Sequence, residues 1–274
     1  MKTWFITGAN RGLGLEMVKA GLANGDNVVG TARNTGSLIN AIAESDHFLA
    51  VSLDVSDKDQ ISTAVLAAKE RFGAIDILVN NAGYGQYGWF ETVSDEQIRS
   101  QFDTNVHGVM NVTREVLPIM REQKSGHIFS VTSTAGIVGS PGFSAYCASK
   151  FAVEGWMQAL ALEVNPLHIK TTIIEPGPFK TDFLDDSSLK SGALEIPDYA
   201  EVIEASKAKF ADANHKQVGD PEKLAQAVVT LTQMDRPPLH FPAGKSAVDT
   251  LLRKADELQA DVAANRQLSL GTDA

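Results

Sequence analysis

A single cysteine, Cys147, stands in 274 residues. That count excludes an internal disulfide and any metal centre built from several thiolates, and it agrees with a reducing compartment. No apolar run approaches the ~20 residues that cross a bilayer as a helix. The opening "MKTWFITGAN" enters a strand-like run at once, without the basic and apolar regions of a secretory leader. A cytoplasmic protein with no membrane partner is therefore expected. Basic residues are few: 24 Lys and Arg against 34 Asp and Glu, a net charge of −10 and a pI near 5.1. This balance opposes attraction to nucleic acid, so no nucleic-acid partner is expected and small molecules remain. Of the six histidines, His107, His127 and His168 fall on separate expected elements without ligand-like spacing, so no metal site is expected. A G-x-S-x-G elbow is also missing, which removes the usual nucleophile turn of a serine hydrolase.

What is present is an alternating pattern. Apolar, β-branched runs at 3–7, 27–32, 48–55, 76–83, 127–133 and 169–177 read as strands. Helical spacing fills 12–24, 36–44, 57–72, 95–123 and 145–165, and another helical stretch starts at 220. Strands too apolar to keep a wet face, each followed by a helix, predict an α/β fold: a doubly wound parallel sheet of Rossmann type with helices on both faces. The length suits one domain, residues 1–274. The rhythm breaks after Gly177. Residues 178–218 are rich in turn formers and acids and are expected to form a lid. Val248, Leu251, Leu252, Ala255, Leu258 and Val262 mark a C-terminal helix over about 245–264 that closes the domain or meets a partner, and the last residues, "LSLGTDA", read as frayed.

"TGANRGLG" follows the first strand and enters a helix, placing Gly8, Gly12 and Gly14 where backbone approaches a ligand closely. Free amides at that helix start, with the helix dipole, suit a pyrophosphate. "YCASK" puts Tyr146 and Lys150 one helical turn apart on one face. A nearby cation stabilises phenolate, so the phenol of Tyr146 is expected to fall below its ordinary pKa of about 10, towards a value useful for proton exchange. Ser133, at the end of the fifth expected strand, has a hydroxyl suited to a substrate oxygen on which charge develops. Asn105, an indifferent helix former, lies inside the helix expected at 95–123.

These motifs resemble the short-chain dehydrogenase/reductase family. Thr7, Gly8, Gly12 and Gly14 match its T-G-x-x-x-G-x-G. "NNAG" at 80–83, Asn105, Ser133, the Tyr146 and Lys150 pair, and "PGPFKT" at 176–181 follow in the family's order. The C-terminal region resembles 17β-hydroxysteroid dehydrogenase-like bacterial members. The resemblance implies an NADP(H)- or NAD(H)-dependent oxidoreductase in which Asn105, Ser133, Tyr146 and Lys150 are catalytic. Tyr146 would be the general acid and base, Lys150 would also bind the nicotinamide ribose, and Asn105 would hold a water that links Lys150 to solvent. The implied cofactor contacts are Gly8, Asn10, Arg11, Gly12, Leu13, Gly14, Arg33, Asp54, Val55, Asn81, Ala82, Gly83, Tyr146, Lys150, Pro176, Gly177, Phe179 and Thr181. Ala32 occupies the position where NAD-preferring relatives carry an acid, and Arg33 follows it, with Arg11 on the other side. Two guanidiniums and no carboxylate favour a 2′-phosphate, hence NADP(H).

The expected reaction is reduction of a ketone or aldehyde by hydride transfer, reversible to oxidation of an alcohol. Tyr84, Gln86, Tyr87, Trp89 and Phe143 read either as walls of a pocket for a fairly apolar substrate or as core and interface residues. Pairing through the helices at 95–123 and 145–165, as in the family, implies a homodimer or homotetramer. Two other classes stay in view: a non-catalytic NADP(H) sensor, and an epimerase or dehydratase, against which the glycine spacing argues.

Overall fold

A computed structural model describes residues 1–273. Its strands begin where the sequence is apolar enough to lose water on both faces. All four residues of β1 (Thr3–Ile6) and of β4 (Ile77–Asn80) are buried. With β2 (Asn27–Ala32), β3 (Phe48–Ser52), β6 (Gly126–Val131), β7 (Ile169–Pro176) and β9 (His240–Ala243) they form one seven-stranded sheet in the order β3-β2-β1-β4-β6-β7-β9. Every pairing in it is parallel.

The two-residue period of a strand divides the core. Phe5, Val29, Leu78, Ile128 and Ile173 point to one side. There they meet α3 (Lys58–Phe72), α5 (Val109–Gln123) and α6 (Ser144–Val164). Trp4, Ile6, Val28, Ile77, Phe129 and Ile174 point to the other side, against α1 (Gly12–Ala23), α2 (Gly36–Ala41) and α8 (Pro221–Gln233). Asp57 starts α3 by accepting from the amides of Asp59 and Gln60, and Asp220 starts α8 in the same way ahead of Pro221. Strand order reverses between β1 and β4, which opens a crevice outside their carboxyl ends. The expected single-domain, doubly wound Rossmann-type sheet is this architecture.

Several boundaries differ from expectation for visible reasons. The third strand stops at Ser52, because the Asp54 carboxylate accepts from the amide and hydroxyl of Ser56 at 2.9 and 2.6 Å and turns the chain. The helix expected at 95–123 is divided into α4 (Asp95–Phe102), a π-helical turn over Asp103–Gly108, and α5. Residues 178–218 are more ordered than their turn-forming composition suggested. They contain a short 3₁₀ turn, β8 (Leu189–Ser191) and α7 (Pro197–Ala213), and β8 pairs in parallel with β5 (Gly85–Tyr87). Pro197 at the first helical position is the start signal for α7.

The final strand, β9, was not expected, and it is only four residues long. After it α9 (Lys245–Leu270) continues past the expected end at 264, through residues expected to fray. Only Ala247 of α9 is buried, while Val248, Leu252, Leu258 and Val262 are exposed, so this helix does not close the core.

Candidate active site

The glycine loop is bolted to the end of β4. Thr7 Oγ1 accepts from the amides of Asn81 and Ala82, each at 3.0 Å. In return, Asn81 Nδ2 donates to the carbonyls of Thr7 and Gly8 at 3.0 and 2.9 Å. Gly8 has φ of +63°, and a Cβ there would lie 2.8 Å from Ala82 Cα. At Gly14 a Cβ would meet the Gly8 carbonyl at 2.3 Å, so this position holds the loop against its own helix. Arg11, the residue before α1, makes no side-chain cap, and α1 has no acid in its first turn. Its opening amides are thus left to an anion from outside, which fits the pyrophosphate of a dinucleotide.

Above this loop lies a cavity of about 900 Å³. Gly8, Asn10, Arg11, Gly12 and Leu13 line it from the first turn, and Arg33, Asp54 and Val55 from the ends of β2 and β3. Asn81, Ala82 and Gly83 line it after β4, and Pro176, Gly177, Phe179 and Thr181 after β7. Ser133, Tyr146 and Lys150 face the same space. Of the catalytic and cofactor-binding residues expected from the sequence, Gly14 and Asn105 are not among its walls.

Asn105 is 1% exposed and sits in the π-helical turn. Its Oδ1 accepts from the Tyr84 amide at 3.1 Å, and its Nδ2 donates to the Tyr84 carbonyl at 2.9 Å and to Ser149 Oγ at 3.2 Å. The side chain therefore fastens the chain after β4 to α6. Wider π turns of this kind recur at functional sites.

Tyr146 and Lys150 are both buried on α6. Lys150 Nζ donates to the Val131 carbonyl at 2.8 Å and lies 5.8 Å from the centroid of the Tyr146 ring. Burial lowers the Lys150 ammonium to about 8, and the nearby Glu154 carboxyl partly opposes that fall. The expectation of an acidified Tyr146 is not met. Burial pushes its phenol well above the ordinary value, against an opposing contribution from the Ser133 hydroxyl. Desolvation dominates here, while the ammonium, 5.8 Å from the ring centroid, donates to the Val131 carbonyl instead of the phenol.

Beyond Tyr146 the cavity becomes aromatic. Phe143 and Phe183 flank the Tyr146 ring at centroid distances of 6.1 and 5.7 Å. Tyr84 lines the cavity under the Lys190 ammonium, which lies 4.3 Å from its ring centroid. The remaining aromatics expected near the substrate are set further back. Tyr87 is 2% exposed, packs on Phe143 and Phe210, and borders a second cavity of about 620 Å³. Trp89 packs edge-on against Tyr87, and the buried Gln86 donates to the Lys190 carbonyl. Ser187 and Lys190, within the segment expected to form a lid, and Arg253 on α9 also line the main cavity, although none of the three was singled out from the sequence. No metal site was expected, yet Glu154, Glu175 and His240 come together behind Lys150.

The family profile described as short chain dehydrogenase matches residues 2–191. An oxidoreductase of Botryotinia fuckeliana is 39% identical over 99% of this chain and 99% of its own length. A short-chain dehydrogenase from Streptomyces avermitilis has a solved structure that is 37% identical, with a TM-score of 0.91 over 100% of this chain and 99% of that one. Two further solved relatives carry dinucleotides. One is a 3-ketoacyl-(acyl-carrier-protein) reductase from Brucella melitensis with NADH: 27% identity, TM-score 0.73, 88% of this chain and 95% of that one. The other is a serine dehydrogenase with NADP+: 26% identity, TM-score 0.75, 87% and 93% covered. This chain belongs to the short-chain dehydrogenase family of oxidoreductases. Among the described residues no helix is long and apolar enough to cross a membrane.

Proposed function

We propose that this chain reduces a ketone or aldehyde with NADPH, and in reverse oxidises the alcohol. The observation that carries this reading is one cavity lined both by the glycine loop with Arg11 and Arg33 and by Ser133, Tyr146 and Lys150. The cofactor, when bound, supplies hydride to the carbonyl carbon. Tyr146 gives its proton to the carbonyl oxygen, and Ser133 holds that oxygen as charge builds on it. A phenol that burial keeps protonated is in the form that can donate to a carbonyl oxygen. The Lys150 ammonium steadies the phenolate once the proton has left.

Arg11 and Arg33, with Ala32 rather than an acid between strand and loop, support NADP(H) over NAD(H). The aromatic walls at Tyr84, Phe143 and Phe183 support a fairly apolar substrate, and residues 178–218 act as its lid. Exposed Phe151 and Leu162 on α6 support pairing of copies through α4–α5 and α6, as a homodimer or homotetramer. The location we assign is the cytoplasm.

The test is NADPH and NADH oxidation by purified protein across a panel of ketones and aldehydes of graded size and polarity. Faster oxidation with NADPH and apolar ketones is expected. Tight NADPH binding without reduction of any carbonyl, unaffected by Tyr146→Phe, would favour a cofactor sensor instead.

A further inference from the structure

Behind Lys150, away from the cavity, three titratable side chains stand together. Tyr146, Lys150 and Glu154 occupy successive turns of one face of α6. Glu175 reaches the same spot from β7, and His240 from β9. One ligand-type atom from each of Glu154, Glu175 and His240 lies within 4.8 Å of the other two. His240 Nδ1 is 2.6 Å from Glu175 Oε1 and 3.8 Å from Glu154 Oε2. The two glutamates are 4% and 0% exposed, whereas the His240 side chain is 38% exposed. The cluster thus runs from beside Lys150 to solvent.

Its chemistry is that of a proton path. Oε2 of Glu175 lacks a hydrogen-bond partner and the Glu154 carboxyl has only the Thr132 hydroxyl beside it, which is costly for buried carboxylates and tolerable for ones that hold a proton. Burial raises Glu154 to about 7, one unit from Lys150 at about 8, so a proton passes between them with little bias. The groups facing Glu154 are Lys150 on its own helix, the Thr132 hydroxyl after β6, Glu175 on β7 and His240 on β9. A bound cation fits less well. Two ligands on one tetrahedral zinc stand about 3.3 Å apart, and the 2.6 Å contact between His240 and Glu175 is a hydrogen bond.

We propose that Glu154, Glu175 and His240 form a proton entry route that recharges Lys150, and through it Tyr146, from the protein surface beside β9. The inference rests on the carbonyl-reducing reading. After Tyr146 has given its proton to the substrate oxygen, the Lys150 ammonium returns one to the phenolate. Glu154 protonates the resulting amine, through a bridging water because Lys150 Nζ is held by Val131. Glu154 is reprotonated from His240 across Glu175, since His240 Nδ1 hydrogen-bonds Glu175 at 2.6 Å but lies 3.8 Å from Glu154, and His240 takes a proton from solvent. Each step moves one proton and no electrons.

Three variants and one spectroscopic measurement test the route. Glu154→Gln keeps the shape but carries no acid; its kcat for NADPH-dependent reduction should fall on the order of tenfold with KM unchanged, and the inflection near pH 7 should vanish. Glu154→Asp should restore the inflection. His240→Ala should be slow and be rescued by imidazole in proportion to its protonated fraction. Infrared spectra without turnover should show a buried carboxylic acid that titrates near pH 7 in the parent and is missing in Glu154→Gln. An unchanged pH profile in Glu154→Gln, or no imidazole rescue, overturns the route while leaving carbonyl reduction intact. Absence of the titrating acid overturns it even if no carbonyl is ever reduced, the result that would defeat the functional reading itself.

Discussion

The Arg11 guanidinium donates to the Ser187 hydroxyl at 2.6 Å and to the Ser187 carbonyl at 3.1 Å, tying the glycine loop to a segment 176 residues further along the chain. The side chain proposed to receive a 2′-phosphate is therefore also a latch on the proposed lid. Arg33, on the other side of the cavity, makes no such contact with that segment.

The two arginines should separate in a paired experiment. Arg33→Ala should weaken NADPH binding about tenfold to a hundredfold, the loss of one charge-assisted contact, and leave NADH within about twofold. Arg11→Ala should do the same and also speed proteolytic cutting within 178–218. Fluorescence titration and limited proteolysis measure the two effects; equal losses for NADPH and NADH would count against the phosphate assignment.

Tyr146→Phe should lower kcat/KM for carbonyl reduction by about a hundredfold to ten-thousandfold, the range of a lost general acid. NADPH affinity should change less than about threefold, since the ring and its packing on Phe143 and Phe183 remain. Steady-state rates and a binding titration distinguish this from a misfolded variant.

His127 should make the fold acid-sensitive. It is 4% exposed, its Nε2 pairs with Thr172 at 2.9 Å, and burial lowers it to about 3. Below its ordinary value of about 6.5 the unfolded chain takes up a proton that the folded chain refuses, so stability is lost as pH falls. Urea unfolding should show about 2 kcal/mol of this loss between pH 7 and pH 5, and none of it in His127→Gln.

Glu154 should act with the opposite sign. Its folded value of about 7 lies above its ordinary 4.5, so the folded chain keeps a proton that the unfolded chain releases. Stability therefore falls as pH rises from about 4.5 through 7. Glu154→Gln should gain about 3 kcal/mol relative to the parent on going from pH 4.5 to pH 8, read from the same unfolding curves.

The sheet and the cavity floor were legible in the sequence because they depend on local signals. Apolar runs such as those at Ile77–Asn80 have nowhere to go but a buried strand, and Gly8 stands where a side chain would strike Ala82. Spacing along one helix likewise placed Tyr146 and Lys150 together. What local pattern cannot carry is desolvation, which depends on everything packed around a group. It reversed the expected direction for Tyr146. The π turn at Asn105 was hidden for a related reason: its cause is a set of bonds to Tyr84 and Ser149 from other elements. His240 was not singled out in the sequence, and its partners became visible only when β9 was laid beside β7.

The small ribbon of β5 and β8 has a mechanical outcome. Gly85, Gln86 and Tyr87 follow the cavity-lining Asn81, Ala82 and Gly83 by two residues, and they pair in register with Leu189, Lys190 and Ser191. If the outer segment swings as proposed, it would tug on the strip of chain that lines this end of the crevice, so admission of a guest and the grip on its redox companion would be geared to each other.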